Sequence, residues 1–162
     1  MQKLTPCLWF NGRVEEALEF YTSVFKNAKV KDVSHYGENM PMPAGSIMTA
    51  TFDIEGQGFM ILNGGPHFTP NEAISFVINC KDQEEVDYYW EKLTANGGRE
   101  SMCGWLADPY GISWQVVPEE FGSIMRNSGA NSDKVMQALM HMKKLDINKL
   151  KQLQKVNNTK AS

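Results

Sequence analysis

The chain has 162 residues, of which 42% are hydrophobic and 22% charged, with a formal net charge of −3. These proportions are ordinary for a globular domain, and the small negative charge disfavours a nucleic-acid-binding role. The sequence has no run of 18 apolar residues and no apolar leader with a cleavage site, so we expect no membrane span and a cytoplasmic protein. Three cysteines without a C-x-x-C pair fit reduced thiols.

A strand and an amphipathic helix are predicted first, in the stretch TPCLWFNGRVEEALEFY (5–21). Helical spacing indicates one buried helix face: Val14, Ala17, Leu18, Tyr21, Val24 and Phe25. Three strands are predicted after the helix, near 30–36, 47–54 and 59–63. The Gly- and Pro-rich segment GENMPMPAGS (37–46) is predicted to be a loop between the first two of them.

The same order of elements recurs in the second half of the chain. The stretch ISFVINCKDQEEVDYYW (74–90) aligns with 5–21 at an offset of 69, so that Glu16 matches Glu85 and Tyr21 matches Trp90. Asp82 with Glu85 predicts a helix start of the capping-box kind. Strands are predicted near 99–101, 105–107 and 112–117. The chain therefore contains two strand–helix–three-strand units.

The last two predicted strands flank the turn DPYG (108–111), whose Asp, Pro and Gly suit a type I turn. On the strand that follows, Trp114 and Gln115 are neighbours and must point to opposite faces. An apolar face has to be covered by a helix, so we expect Trp114 beneath a helix and Ser113 and Gln115 on the other face.

From Glu119 onward the sequence predicts helices. Two apolar stripes are predicted, one made of Val135, Met136, Leu139, Met140 and Met142, the other of Ile147, Leu150, Leu153 and Val156. The Met-rich stripe either covers its own domain or forms part of a homodimer interface. Six lysines and one acid in 143–162 favour a solvated helix face.

These features resemble the vicinal-oxygen-chelate (glyoxalase/bleomycin-resistance/dioxygenase) superfamily, and within it the PhnB-like group often labelled 3-demethylubiquinone 3-methyltransferase. The stretches that carry the resemblance are TPCLWFNG…EEALEFY, ILNGGPHF, EAISFVINC, CGWLADPYGISWQVVP and MQALMHMKKLDINKL. The resemblance implies an α+β fold with two βαβββ modules, about 4–64 and 73–118, whose sheets curve into an eight-stranded cup with helices on its convex side. Residues 1–118 would form this domain, and residues 119–162 would form a helical C-terminal extension. Members of the group are often dimers, so we expect a homodimer.

The resemblance also locates four positions that hold a metal in metal-using members of the superfamily. A glutamate four residues after the turn glycine is replaced here by Gln115, and the counterpart in the first repeat is Met60. The first-strand positions fall near Thr5 and at 73–75, where we select Ser75. Superfamily sites use imidazole and carboxylate ligands, and these side chains supply neither. We therefore expect no metal at these positions, and no cofactor.

The function predicted from the sequence is binding of a small organic ligand of unknown identity, with no assigned catalytic residue. The predicted ligand-binding residues are Thr5, Trp9, Met60, Ser75, Trp105 and Gln115. A metal-dependent lyase, isomerase or dioxygenase is the first alternative, and a methyltransferase the second, although no G-x-G-x-x-G stretch marks a nucleotide site. His67 is either a general base or an ordinary loop histidine.

Overall fold

The computed structural model of the protein describes residues 2–155. The chain divides into two compact units, Met1–Pro70 and Asn71–Ser162. Each unit contains one four-stranded sheet.

The first unit is a βαβββ module. Its elements are β1 (Cys7–Phe10), α1 (Val14–Val24), β2 (Ala28–His35), β3 (Ile47–Ile54) and β4 (Gln57–Asn63). The sheet order is β1-β4-β3-β2, with β1 parallel to β4 and the other pairs antiparallel. The predicted strands are present, and β2 and β4 each begin two residues earlier than the sequence indicated.

The core of the first unit lies between α1 and its sheet. The helix buries the apolar stripe predicted from its spacing, including Val14, Ala17 and Tyr21. The ring of Tyr21 stacks on Phe52 of β3, with centroids 5.8 Å apart, and Phe52 stacks in turn on Phe59 of β4. Stacked aromatic side chains of this size supply a large part of a small core's burial energy.

The second unit repeats the same connectivity. Its elements are β5 (Ser75–Cys80), α2 (Gln83–Thr94), β6 (Arg99–Glu100), β7 (Trp105–Ala107) and β8 (Ser113–Pro118). The sheet order β5-β8-β7-β6 corresponds strand by strand to that of the first unit, again with one parallel pair, β5 with β8. The predicted α+β fold with two βαβββ modules is thus confirmed.

Helix α2 begins where the sequence predicts. The Asp82 carboxylate accepts a hydrogen bond from the backbone N–H of Glu85 at 2.9 Å. The Glu85 carboxylate reaches back to the N–H of Lys81, one residue before the cap, at 2.8 Å. Both bonds satisfy N–H groups near a helix start that no helical carbonyl can reach.

The turn between β7 and β8 is held by a buried carboxylate. Asp108 is 2% exposed and accepts hydrogen bonds from the backbone N–H groups of Tyr110 and Ile112 and from the indole N–H of Trp114. The N–H of Gly111 closes the turn on the Asp108 carbonyl at 3.0 Å. The predicted hairpin is therefore present, and Trp114 contributes to the turn as well as to the core.

Within the described residues, three α-helices follow the second sheet: α3 (Phe121–Arg126), α4 (Ser132–Met140) and α5 (Ile147–Lys155). Their buried cluster consists of Ile124, Val135, Leu139, Met142, Leu145, Ile147 and Leu150. The stripe on α4 is divided, because Met136 and Met140 are exposed. Val156 of the second predicted stripe lies outside the described residues.

Hydrogen bonds attach these helices to the rest of the second unit. The backbone N–H groups of Cys103 and Gly104 donate to the carbonyls of Met142 and Lys143, both at 2.7 Å. The Gln83 side-chain amide donates a hydrogen bond to the Leu145 carbonyl and accepts one from the N–H of Ile147, the first residue of α5. The predicted division at 118/119 stays a prediction. Within residues 2–155, no helix has the length and apolar composition needed to cross a membrane.

Candidate functional site

The second sheet has two chemically different faces. Trp114 and Val116 of β8 and Leu106 of β7 are buried on the side where α2 packs. The alternate residues point the other way. We call this second side the Gln115 face, made of Arg99, Trp105, Ala107, Ser113, Gln115, Ser75 and Val77. The sequence-based assignment of Trp114 and Gln115 to opposite faces agrees with their burial, since Gln115 is partly exposed.

Strand register arranges the Gln115 face in two rows across the sheet. In one row, Ser75 pairs with Ser113, Ser113 with Ala107, and Ala107 with Arg99. In the next row, Gln115 lies between Val77 and Trp105. The amide of Gln115 links the two rows, because its Nε2 donates to the Ser75 hydroxyl at 2.9 Å. Three predicted ligand-binding residues, Ser75, Trp105 and Gln115, therefore lie together.

A pocket of about 220 Å³ adjoins this cluster. Its lining residues are Glu72, Arg99, Glu100, Ser101, Trp105, Leu106, Ala107 and Ser113. Pockets for drug-sized ligands measure roughly 300–1,000 Å³, so this one suits a smaller molecule. Trp105 and Ser113 belong both to the pocket wall and to the rows that contain Gln115 and Ser75.

The charged groups of the pocket differ in their partners. Glu100 accepts hydrogen bonds from the Trp90 indole at 2.9 Å and from the Lys143 ammonium at 3.1 Å, and these bonds hold its pKa below the ordinary value. By contrast, Arg99 and Glu72 take part in no ion pair among residues 2–155. The pocket therefore carries one cation and one carboxylate that are free to meet a ligand.

The first sheet has a corresponding face away from α1, which we call the Met60 face. Cys7 of β1 and Thr51 of β3 lie directly beside Met60 in the register, and Trp9 lies beside Leu62. Trp9 and Met60 are half-buried. Thr5 is exposed and precedes β1. The structure thus places Trp9 and Met60 on one face, with Thr5 beyond the end of the paired strand.

Trp9 is fixed by the loop that follows β4. Its indole N–H donates to the Gly65 carbonyl at 2.8 Å, and its ring meets Phe68 edge-on with centroids 4.8 Å apart. A Cβ at Gly64 would lie 2.2 Å from the Trp9 ring, so only glycine fits there. His67 is exposed in this loop. Trp9 therefore holds the NGGPHF segment in place, whatever else it contacts.

The four positions that the resemblance assigns to a metal carry side chains that do not suit a divalent metal ion. A hydroxyl stands at Thr5 and at Ser75, a thioether at Met60 and an amide at Gln115, and the Gln115 amide already bonds Ser75. None of these groups supplies the imidazole or carboxylate that such sites use. Elsewhere in the part of the chain that the structure describes, no group of three His, Cys, Asp or Glu side chains could hold a metal ion.

Sequence reasoning did not select the pocket residues Arg99 and Glu72. Arg99 joins the Gln115 face only through the pairing of β6 with β7, and a two-residue strand carries no alternation to read. Ser113 was expected on this face from its spacing to Gln115. The pocket combines an apolar wall with a few polar groups, which is the usual composition of a small-molecule site.

Comparisons with solved structures give the class of fold. The manganese(II)- and sulfate-bound structure of the fosfomycin resistance protein FosX from Listeria monocytogenes matches with a TM-score of 0.52 and 17% identity, covering 78% of this chain and 98% of that one. Protein PA1353 from Pseudomonas aeruginosa matches with a TM-score of 0.60 and 22% identity, covering 74% and 98%. These matches show a shared fold, and it agrees with the fold implied by the resemblance to the vicinal-oxygen-chelate superfamily.

The family follows from closer similarity. The model of the 3-demethylubiquinone-9 3-methyltransferase family matches residues 2–117. A structure described as a putative 3-demethylubiquinone-9 3-methyltransferase, PhnB protein, from Bacillus cereus is 37% identical, with a TM-score of 0.67, and the match covers 72% of this chain and 99% of that one. The chain belongs to this PhnB-like family. No curated protein sequence matches the chain.

Proposed function

We propose that the protein binds a small organic molecule on the Gln115 face, without a metal at the superfamily positions. The observation that carries the proposal is the Gln115–Ser75 hydrogen bond beside a pocket walled by Trp105 and Ser113. A neutral amide and hydroxyl orient a ligand through hydrogen bonds, while an indole supplies apolar contact area. Thr5, Trp9 and Met60 are proposed as ligand contacts of the first unit, considered separately from the Gln115 face.

The two alternatives are enzymes. FosX is described in complex with manganese(II), which would favour metal-dependent chemistry if this chain had comparable ligands. The family description would favour methyl transfer. The side chains at Thr5, Met60, Ser75 and Gln115 do not support the first alternative. The second lacks a recognisable Gly-rich nucleotide site in the sequence.

The decisive experiment looks for a retained ligand. The protein is purified from untreated cells, and its mass measured under native conditions is compared with its mass under denaturing conditions. We expect a small molecule in the wild type and a marked loss of it in Gln115→Leu and Ser75→Ala. Gln152→Leu is the matched control, because it makes the same chemical change at an exposed position on α5. Equal retention in all variants, or no ligand in the wild type, would contradict the proposal.

Two further measurements separate the alternatives. Elemental analysis is expected to find no stoichiometric transition metal; about one zinc, nickel or iron per chain, removed only by strong chelation, would restore the metal-dependent enzyme. Calorimetry with S-adenosylmethionine is expected to show no binding, and a clear micromolar isotherm would restore the methyltransferase.

We also propose that the protein is a cytoplasmic homodimer. The exposed Met136 and Met140 on α4 support a dimer contact, since large exposed apolar side chains on one helix often mark an interface. The three free cysteines support a reducing compartment.

A further inference from the structure

We infer that the pocket beside the Gln115 face is specific for a small zwitterion that carries one carboxylate and one ammonium group, of the size of an amino acid. The inference rests on the proposed function, because the pocket shares Trp105 and Ser113 with that face. It adds the charge pattern and the size of the ligand, which the proposed function leaves open.

The cation of the pocket is Arg99. Its guanidinium has no ion-pair partner among the described residues, and it ends the row that runs from Ser75 through Ser113 and Ala107. A guanidinium presents paired N–H donors in a geometry that matches a carboxylate. Arg99 is therefore the group that recognises the ligand's carboxylate.

Ser113 supplies the second observation. The residue as a whole is 3% exposed and lines the pocket, and its hydroxyl makes no hydrogen bond within residues 2–155. This hydroxyl is not one of the fully buried polar atoms that lack a partner, so it keeps accessible surface where a group in the pocket can hydrogen-bond to it. The hydroxyl is placed on the same row as Arg99 and serves the same end of a ligand.

The opposite charge comes from Glu72, in the segment before β5. The other acid of the pocket, Glu100, is already committed to Trp90 and Lys143, so it neutralises no further cation. Glu72 has no such partner in the described chain. An ammonium group between this carboxylate and the Trp105 ring would gain both ion pairing and cation–π attraction.

Isothermal titration calorimetry tests the inference with named probes: each standard L-amino acid, β-alanine and γ-aminobutyrate. Propionate and propylamine carry only one of the two charges and serve as reference compounds. At least one zwitterion is expected to bind with a submillimolar Kd, and both single-charge compounds at least about 10-fold more weakly, since each charged hydrogen bond is worth roughly that factor.

Two variants separate the charges. Arg99→Met is expected to weaken zwitterion binding about 10-fold or more, and Glu72→Gln to weaken the zwitterion but not propionate. Arg126→Met and Glu91→Gln make the same changes at exposed positions outside the pocket and are expected to leave binding unchanged. Circular dichroism melts verify that each variant is folded.

The outcomes distinguish this inference from the proposed function. Binding of propionate as tight as that of every zwitterion, with no effect of Glu72→Gln, would overturn the zwitterion and indicate a simple anion site. A retained uncharged molecule that depends on Gln115, with no zwitterion binding, would overturn the inference and leave the proposed function standing. No retained molecule and no probe binding would overturn both.

Discussion

The strongest test of the second unit is to remove Trp114 and its neighbour Gln115 separately. Trp114 is 3% exposed, its ring lies 5.4 Å from that of Phe76, and its indole N–H donates to the buried Asp108 carboxylate at 2.9 Å. Gln115 is partly exposed, and its side-chain amide donates to Ser75. The two residues are adjacent in the chain but have entirely different surroundings.

The expected magnitudes follow from these contacts. Trp114→Ala should lower the free energy of unfolding by roughly 3–5 kcal/mol, the range for truncating a large buried aromatic side chain. Trp114→Phe keeps most of the packing but removes the donor to Asp108, and should cost about 1.5–3 kcal/mol, as for a hydrogen bond to a charged group. Gln115→Ala exposes a site that water can fill, and should cost less than about 1 kcal/mol.

Urea melts followed by far-ultraviolet circular dichroism measure all three variants without relying on tryptophan fluorescence. Conserved m-values would show that the variants change stability rather than the extent of unfolding. If Gln115→Ala were the most destabilising, the faces of β8 would be assigned the wrong way round and the Gln115 site would have to be withdrawn. If Trp114→Phe were neutral, the bond to Asp108 would not stabilise the turn.

Three further predictions concern other parts of the molecule. Burial, with nearby Glu85 and Asp82, raises the pKa of the Cys80 thiol to about 12. Burial raises the pKa of Cys7 as well, but Cys7 is exposed and Cys80 is buried, so iodoacetamide at pH 8 should modify Cys7 before Cys80. Peptide mass spectrometry measures both rates, and faster labelling of Cys80 would contradict the structure. Hydrogen bonding to Lys144 lowers the pKa of Asp87, so this pair stabilises the fold above the unfolded carboxyl pKa of about 4. Lys144→Met should therefore lower the free energy of unfolding by up to about 1 kcal/mol at pH 7, and the loss should shrink as the pH falls through the folded pKa. Urea melts in which wild type and variant differ equally at pH 7 and at pH 3 would refute this. Light scattering should give about twice the 18.3 kDa chain mass, and a single-chain mass across micromolar concentrations would count against the homodimer.

Local patterns in the sequence were enough to predict most of the fold. The duplication can be recognised in the sequence because each unit repeats the same helix spacing and the same order of elements. The start of α2 follows from Asp82 and Glu85, and the hairpin from the turn that begins at Asp108, because capping and turn formation depend on residues only a few positions apart. Period-two alternation likewise separated Trp114 from Gln115.

The tertiary structure alone decided which residues of distant strands lie side by side. Arg99 reaches the row that contains Ser113 and Ser75 through two successive strand pairings, and register between remote segments leaves no mark in either segment. The sequence also could not show which methionines are buried. The spacing indicates that a helix has an apolar stripe, but not how much of that stripe is covered by other helices. In the structure Met142 is buried in the cluster of the last three helices, while Met136 and Met140 remain exposed, because only the packing of neighbouring helices determines the width of the covered stripe.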